Sequence, residues 1–293
     1  MTLPRVLFVT GKGGTGKSTV AAALALALSR RRPTTLGDLD RRMSAAALLG
    51  TIPQDSTAVK VTDQLDVIAL TPRAELEAFI ERIVPIRAIS RRMLRSRSFG
   101  YVGAAAPGLA AFLTMERLRQ IAGEAALNDR YAVVDAPSSG GALELLGVAA
   151  GVRDMAPFGT LNRLAAGIEG MLIDPHRFGV IVTVAPEEPA LREAIESVRR
   201  IRDFGIVNVS VVLNCAVDDL FEDREMARIS PLKGHGDLAR RRRAMAARSA
   251  AARDALWREN LDFIELPMLF RPAIGRREAA MLAAALMRQT ARL

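Results

Sequence analysis

Residues 6–10, Val6-Leu7-Phe8-Val9-Thr10, form an apolar run fit for a strand buried on both faces. A glycine-rich stretch follows. Residues 19–29 are then small and apolar over a helical length, suited to close packing on a sheet. Similar runs predict strands at 34–39, 65–70, 131–135, 178–185, 209–214 and 261–266, with helices at 190–204 and 272–292. Residues 73–126 read as helical and irregular, and 219–257 as polar and arginine-rich. Strands alternating with helices predict an α/β fold with a mostly parallel sheet flanked by helices. Ligands in such sheets bind beyond the carboxyl ends of the strands. Lys17, Asp40, Asp135 and Asn214 all fall at or just after a predicted strand end.

Half of the 293 residues are apolar, enough for one large domain spanning 1–293. No apolar stretch is long enough to span a membrane, and the N-terminus lacks signal-peptide character, so a cytoplasmic protein is expected. The single cysteine, Cys215, excludes an internal disulfide and a multi-thiolate site, so neither a zinc site nor an arsenite site is expected. His176 and His235 add little toward a metal site. Lysine is scarce: among 41 basic residues only Lys12, Lys17, Lys60 and Lys233 are not arginine. Two of those four share one glycine-rich loop, where a compact, strongly hydrated ammonium is wanted. The net charge of +9 permits contact with an acidic partner, a membrane or DNA.

That loop, Gly11-Lys12-Gly13-Gly14-Thr15-Gly16-Lys17-Ser18, fits G-x-x-x-x-G-K-[ST] between a strand and a helix. Backbone N–H groups from Gly13 to Thr19, together with the helix dipole, would cradle phosphate oxygens. Lys17 would reach the β- and γ-phosphates of ATP, and the Ser18 hydroxyl would ligate Mg²⁺. The sheet is therefore expected to be that of a P-loop NTPase that hydrolyses ATP. Asp38-Leu39-Asp40 offers two carboxylates at a strand end, one to position the attacking water and the other near the metal. Asp135 ends a strand ahead of Ala136-Pro137-Ser138-Ser139-Gly140 and would sit near Mg²⁺.

With Lys12, the loop takes the deviant form that resembles the MinD, ParA and ArsA ATPases. The resemblance implies that Lys12 reaches across a dimer to the partner's nucleotide, and that Asp40 rather than Asp38 orients the water. Further segments resemble the ArsA branch, which includes the ATPase that targets tail-anchored membrane proteins. They are Ala106-Pro107-Gly108, residues 135–146 as a second switch, Val184-Ala185-Pro186-Glu187 with Glu193, Val212-Leu213-Asn214, and Leu266-Pro267-Met268 with Gly275. By this resemblance Asn214 reads adenine, with Pro267 and Met268 beside it. One amide presents the donor and acceptor that adenine N6 and N7 require. Segments 73–126 and 147–177 would form an inserted helical subdomain carrying a client surface, with Phe79, Ile80, Ile83, Ile86, Met93 and Leu94 on one face. Gly141 and Glu144 replace the branch's switch histidine and arginine, and Arg41 stands where a proline is usual, so nucleotide sensing is expected to be weakened or rewired.

Three functional readings follow. The first is an ArsA-type dimeric ATPase, homodimer or heterodimer, engaging a protein client. The second is a positioning ATPase binding DNA or membrane through its arginines, such as Arg87 to Arg97 and Arg240 to Arg243. The third is a weakly active subunit of a heterodimeric complex.

Overall fold

The computed structural model describes residues 3–40, 42–53, 57–70, 75 and 107–290. Eight strands make one sheet in the order β3-β4-β2-β5-β1-β6-β7-β8. They are β1 (Val6–Gly11), β2 (Thr34–Asp38), β3 (Val59–Thr62), β4 (Leu65–Ala69), β5 (Tyr131–Asp135), β6 (Phe178–Val184), β7 (Val209–Ala216) and β8 (Phe263–Pro267). All pairings are parallel except β3 with β4. The central position of β1 explains its unbroken apolar run, since helices cover it on both sides.

Successive β1 side chains feed opposite cores. Val6 and Phe8 pack in one, Leu7 and Val9 in the other, as the two-residue strand period requires. The first core is closed by α3 (Pro107–Leu127), α4 (Ser139–Met155), α5 (Gly159–Ile173), α6 (Glu188–Asp203) and the end of α8 (His235–Arg258). The second is closed by α1 (Lys17–Leu28), α2 (Ser44–Leu48) and α9 (Arg276–Thr290). The alanine-rich face of α1 is what lets it lie closely between the sheet and α9. In α6, Ala190, Ala194, Ser197, Val198 and Ile201 are buried at helical spacing, with Glu188 in the first turn and Arg200 and Arg202 in the last, as the helix dipole favours.

Several elements lie outside the sequence expectations. Antiparallel β3 is half exposed and lacks an apolar run. Helix α2 is too short to carry a period. The arginine-rich stretch 219–257 contains α7 (Asp223–Ile229) and most of α8. The last strand starts at Phe263 rather than 261, because Asn260 takes φ of 51° and turns the chain first. The outer edge of β8 is covered by the Gln289 side chain, which accepts from Glu265 N–H and donates to Glu265 C=O.

Within segment 147–177, Ala149, Ala165, Ile168, Met171 and Leu172 are buried in the same core as β1 and β6. Phe79 to Leu94, Arg87 to Arg97, Ala106 and Arg41 lie outside the described residues. Among the described residues no helix is long and apolar enough to cross a membrane.

Candidate active site

The glycine-rich loop is shaped from both sides. At Gly11 a Cβ would lie 2.2 Å from the Thr183 carbonyl oxygen on β6, so β1 pairs to its very end only with glycine there. At Gly16, φ is +89° and a Cβ would lie 2.2 Å from Asn214 Nδ2. Glycine is thus required twice over at that position. The turn closes on the Lys12 carbonyl, which accepts from Thr15 N–H at 3.3 Å and from Thr15 Oγ1 at 2.8 Å. Gly13 and Gly14 are exposed at its tip, and Lys17, Ser18 and Thr19 form the half-buried first turn of α1. That terminus has no side-chain cap and no acidic residue. Its first N–H groups therefore retain their affinity for an anion.

Lys17 and Ser18 line a cavity of about 410 Å³ with Leu39, Asp40, Asp135, Ala136, Pro137 and Ser138. The strand ends gather these residues as their parallel order requires. Asp38 stands opposite Asp135 across β2 and β5.

The two aspartates at the end of β2 differ in their surroundings. Asp38 is fully buried. Its Oδ1 accepts from Asp40 N–H at 3.0 Å, and its Oδ2 accepts from Ala45 and Ala46 N–H, both at 3.1 Å. It therefore caps α2 and shapes the loop. Burial pushes its carboxyl above the ordinary value, and those three amides oppose the rise. Asp40 borders the cavity, accepting from Arg42 N–H at 3.1 Å and from Ser44 Oγ at 2.9 Å.

Asp135 is 1% exposed, and neither of its oxygens meets a donor at hydrogen-bond geometry. Burial pushes its carboxyl up to about 7; Asp38 and Asp40 add to the rise, while Ser18 and Lys17 oppose it. The Ser18 hydroxyl is near enough to favour the charged form without completing the bond. A buried carboxylate with free lone pairs beside a serine hydroxyl, at the mouth of an anion site, has the donor set for Mg²⁺.

The second switch segment is tied to β1. Thr10 Oγ1 donates to the Pro137 carbonyl at 2.9 Å, and Ala136 N–H donates to the Val9 carbonyl at 3.0 Å. In the sequence Thr10 reads as one more strand residue, and nothing local marks this role. A Cβ on Gly141 would lie 3.1 Å from Pro137 Cβ. The loop folds back on its helix there, so a side chain at 141 would press on Pro137.

At the far side, β7 breaks register against β8 between Leu213 and Ala216. Cys215 takes φ of 58° at the break. The half-buried Cys215 thiol is pushed up by burial and by the nearby Glu187 charge. Asn214 is turned under the phosphate loop, where Nδ2 donates to the Thr15 carbonyl at 2.9 Å. Its amide thus spends one N–H on supporting the loop, a task the base-reading expectation did not include. Pro267 pairs with Ala216, and Met268 N–H donates to the Ala216 carbonyl at 2.9 Å, so both sit one step along the strand ends from Asn214.

Lys12 is not part of the cavity wall. Its Nζ lies 3.4 Å from Glu193 Oε2 on α6, with side chains 41% and 37% exposed. Three of the seven arginines of α8 form ion pairs within the chain. Arg240 pairs with Asp237, Arg243 with Asp219 and Asp223, and Arg253 with Asp218 and Glu265.

Residues 6–220 match the CobQ/CobB/MinD/ParA nucleotide binding domain. ATPase BagA of Mycobacterium tuberculosis H37Rv is 26% identical over 234 residues, 76% of this chain and 68% of that protein. Mb3704 of Mycobacterium bovis, whose name carries ATPase as a provisional assignment, is 26% identical over the same 76% of this chain and 68% of its own length. The family match begins at the first residue of β1 and ends beyond β7, so it takes in the phosphate loop, both switch segments and Asn214. The chain belongs to the CobQ/CobB/MinD/ParA nucleotide-binding domain family.

Proposed function

We propose that this P-loop ATPase is a dimeric switch of the ArsA type that engages a protein client or partner according to its bound nucleotide. One observation carries the reading. The phosphate loop holds two lysines: Lys17 lines the cavity, while half-exposed Lys12 does not line it and pairs with Glu193 on α6. An ammonium fixed on the loop but outside its own site is placed to serve another site, that of a second subunit. There it neutralises charge on the transferred phosphoryl group.

The remaining roles follow from position. The N–H groups from Gly13 to Thr19 and the Lys17 ammonium bind the triphosphate of ATP. Ser18 and Asp135 hold Mg²⁺, with Asp38 fixing the segment beside them rather than touching the ion. The ion, when bound, offsets the negative charge of the phosphates. Asp40 orients the attacking water. Asn214, Pro267 and Met268 border the base. Closure of two subunits around two nucleotides, and release after hydrolysis, gives a client unequal affinity for the two states.

Light scattering on an Asp40→Asn protein tests it. A doubling of molar mass with Mg-ATP and not with Mg-ADP is expected. A monomer in both, with ATP binding confirmed, contradicts a self-sufficient dimer and leaves a heterodimer with a different subunit.

A further inference from the structure

Four residues separate the two lysines of the phosphate loop: Gly13, Gly14, Thr15 and Gly16. Thr15 alone among them has a side chain. Its neighbours Gly14 and Gly16 take φ of +88° and +89°, and at Gly13 and Gly14 even an added Cβ would meet open space. A glycine backbone of this kind leaves the direction of Lys12 loosely set. A side-chain restraint on it from within the stretch can come only from Thr15.

Thr15 is 3% exposed and is held on both sides. Its carbonyl accepts from Asn214 Nδ2 at 2.9 Å, which anchors it to β7. Its Oγ1 donates to the Lys12 carbonyl at 2.8 Å, and its N–H reaches the same oxygen at the longer distance of 3.3 Å. A nucleotide would treat these two donors differently. The N–H belongs to the row that turns toward phosphate oxygens. The buried hydroxyl faces the Lys12 carbonyl instead. Once the N–H is drawn to phosphate, the hydroxyl is the hold that remains on Lys12.

The far end of Lys12 has a weaker restraint. Its pair with Glu193 is over a third exposed on both sides, where water and salt screen it. That pair must also break before Lys12 can serve any other site. A direction set at the Lys12 carbonyl outlasts the break, because it acts on the backbone from which the side chain departs.

We infer that Thr15 is a positioning residue: its hydroxyl, by holding the Lys12 carbonyl, aims Lys12 out of its own site and toward the nucleotide of a second subunit. The inference rests on the proposed action of Lys12 across a dimer. Threonine differs from valine by a hydroxyl in place of a methyl, so Thr15→Val removes the bond and keeps the branched shape. Thr15→Ser keeps the donor and loses the methyl.

Mixed subunits separate the aiming of Lys12 from the shape of the loop. In a mixed dimer of Lys12→Ala and Asp40→Asn proteins, the Lys12→Ala subunit has the complete site and the Asp40→Asn subunit lends it Lys12. Thr15→Val added to the lending subunit is expected to lower turnover at saturating Mg-ATP by about two- to tenfold, the factor that one lost hydrogen bond corresponds to. The same change in the Lys12→Ala subunit, whose own lysine is already gone, lowers it by a smaller factor, and the turnover that remains shows that the altered loop folds. Thr15→Ser in the lending subunit restores most of the parent turnover. Equal loss from either subunit, or no loss from the lending subunit, overturns the inference. If the parent mixture forms mixed dimers and gains no turnover, the action of Lys12 across the interface is overturned, and this inference with it.

Discussion

Lys12 Nζ lies 3.4 Å from Glu193 Oε2, so the lysine that distinguishes this phosphate loop is held by a carboxylate of its own chain. With both side chains over a third exposed, such a pair contributes about 0.2–1 kcal/mol. To reach a second subunit, Lys12 must leave Glu193. Glu193→Gln removes that competition and is expected to strengthen ATP-dependent self-association by about 1.4- to fivefold for each such pair at low salt, the factor that energy corresponds to. Sedimentation equilibrium at two salt concentrations checks it. An unchanged or weaker association means that Glu193 does not restrain Lys12.

Gly16→Ala is expected to damage the loop rather than merely stiffen it. The new methyl meets Asn214 Nδ2 at 2.2 Å in a backbone region that alanine disfavours. ATP affinity falls by at least about tenfold, and unfolding free energy drops by about 1–3 kcal/mol. Urea titration with a nucleotide-binding assay measures both, and wild-type values for both would contradict the loop geometry.

The two first-switch aspartates separate by phenotype. Asp38→Ala leaves two buried amides and one part-buried amide without their acceptor and is expected to cost about 2–4 kcal/mol of stability. Asp40→Asn changes stability less and lowers turnover by about 10²–10⁴-fold, the usual scale for a lost catalytic carboxylate. Thermal unfolding and steady-state ATPase assays on both variants check the division. Equal destabilisation by both changes would refute it.

Asp135 makes nucleotide-free stability depend on pH. Its carboxyl is raised from 3.8 to about 7 on folding, so the unfolded chain loses this proton first as pH rises. The native state is therefore penalised increasingly between those values and by a constant amount above them. Asp135→Asn removes the penalty. It is expected to leave stability unchanged near pH 4 and to raise it by an amount on the order of 2–4 kcal/mol above pH 8, without Mg-nucleotide. Mg-ATP reverses the order, since only the wild-type carboxylate assists the metal. A gain independent of pH would contradict this account.

Contiguity decided what the sequence made legible. The loop from Gly11 to Ser18 carries its own context, a strand before and a helix after, so the motif and the central strand could be read together. Only the family resemblance favoured Asp40 over Asp38; the residues themselves did not separate them, because the amides that claim Asp38 come from α2, which is too short for a period to show. Asn214 was legible as a strand-end amide. Its hydrogen bond to Thr15 joins residues 199 positions apart, and nothing local announces it. The pairing of Arg243 and Arg253 was not legible because their partners Asp218, Asp219 and Glu265 come from other elements.

Mixing two inactive proteins tests most directly whether Lys12 acts on the partner's nucleotide. Lys12→Ala and Asp40→Asn are each expected to hydrolyse ATP poorly alone. In a mixed dimer, the Lys12→Ala subunit keeps Asp40 and receives Lys12 from its partner, so one site is complete. Turnover in the mixture well above the sum of the separate proteins is the predicted result. Activity no greater than that sum, with mixed dimers shown to form, would contradict action across the interface.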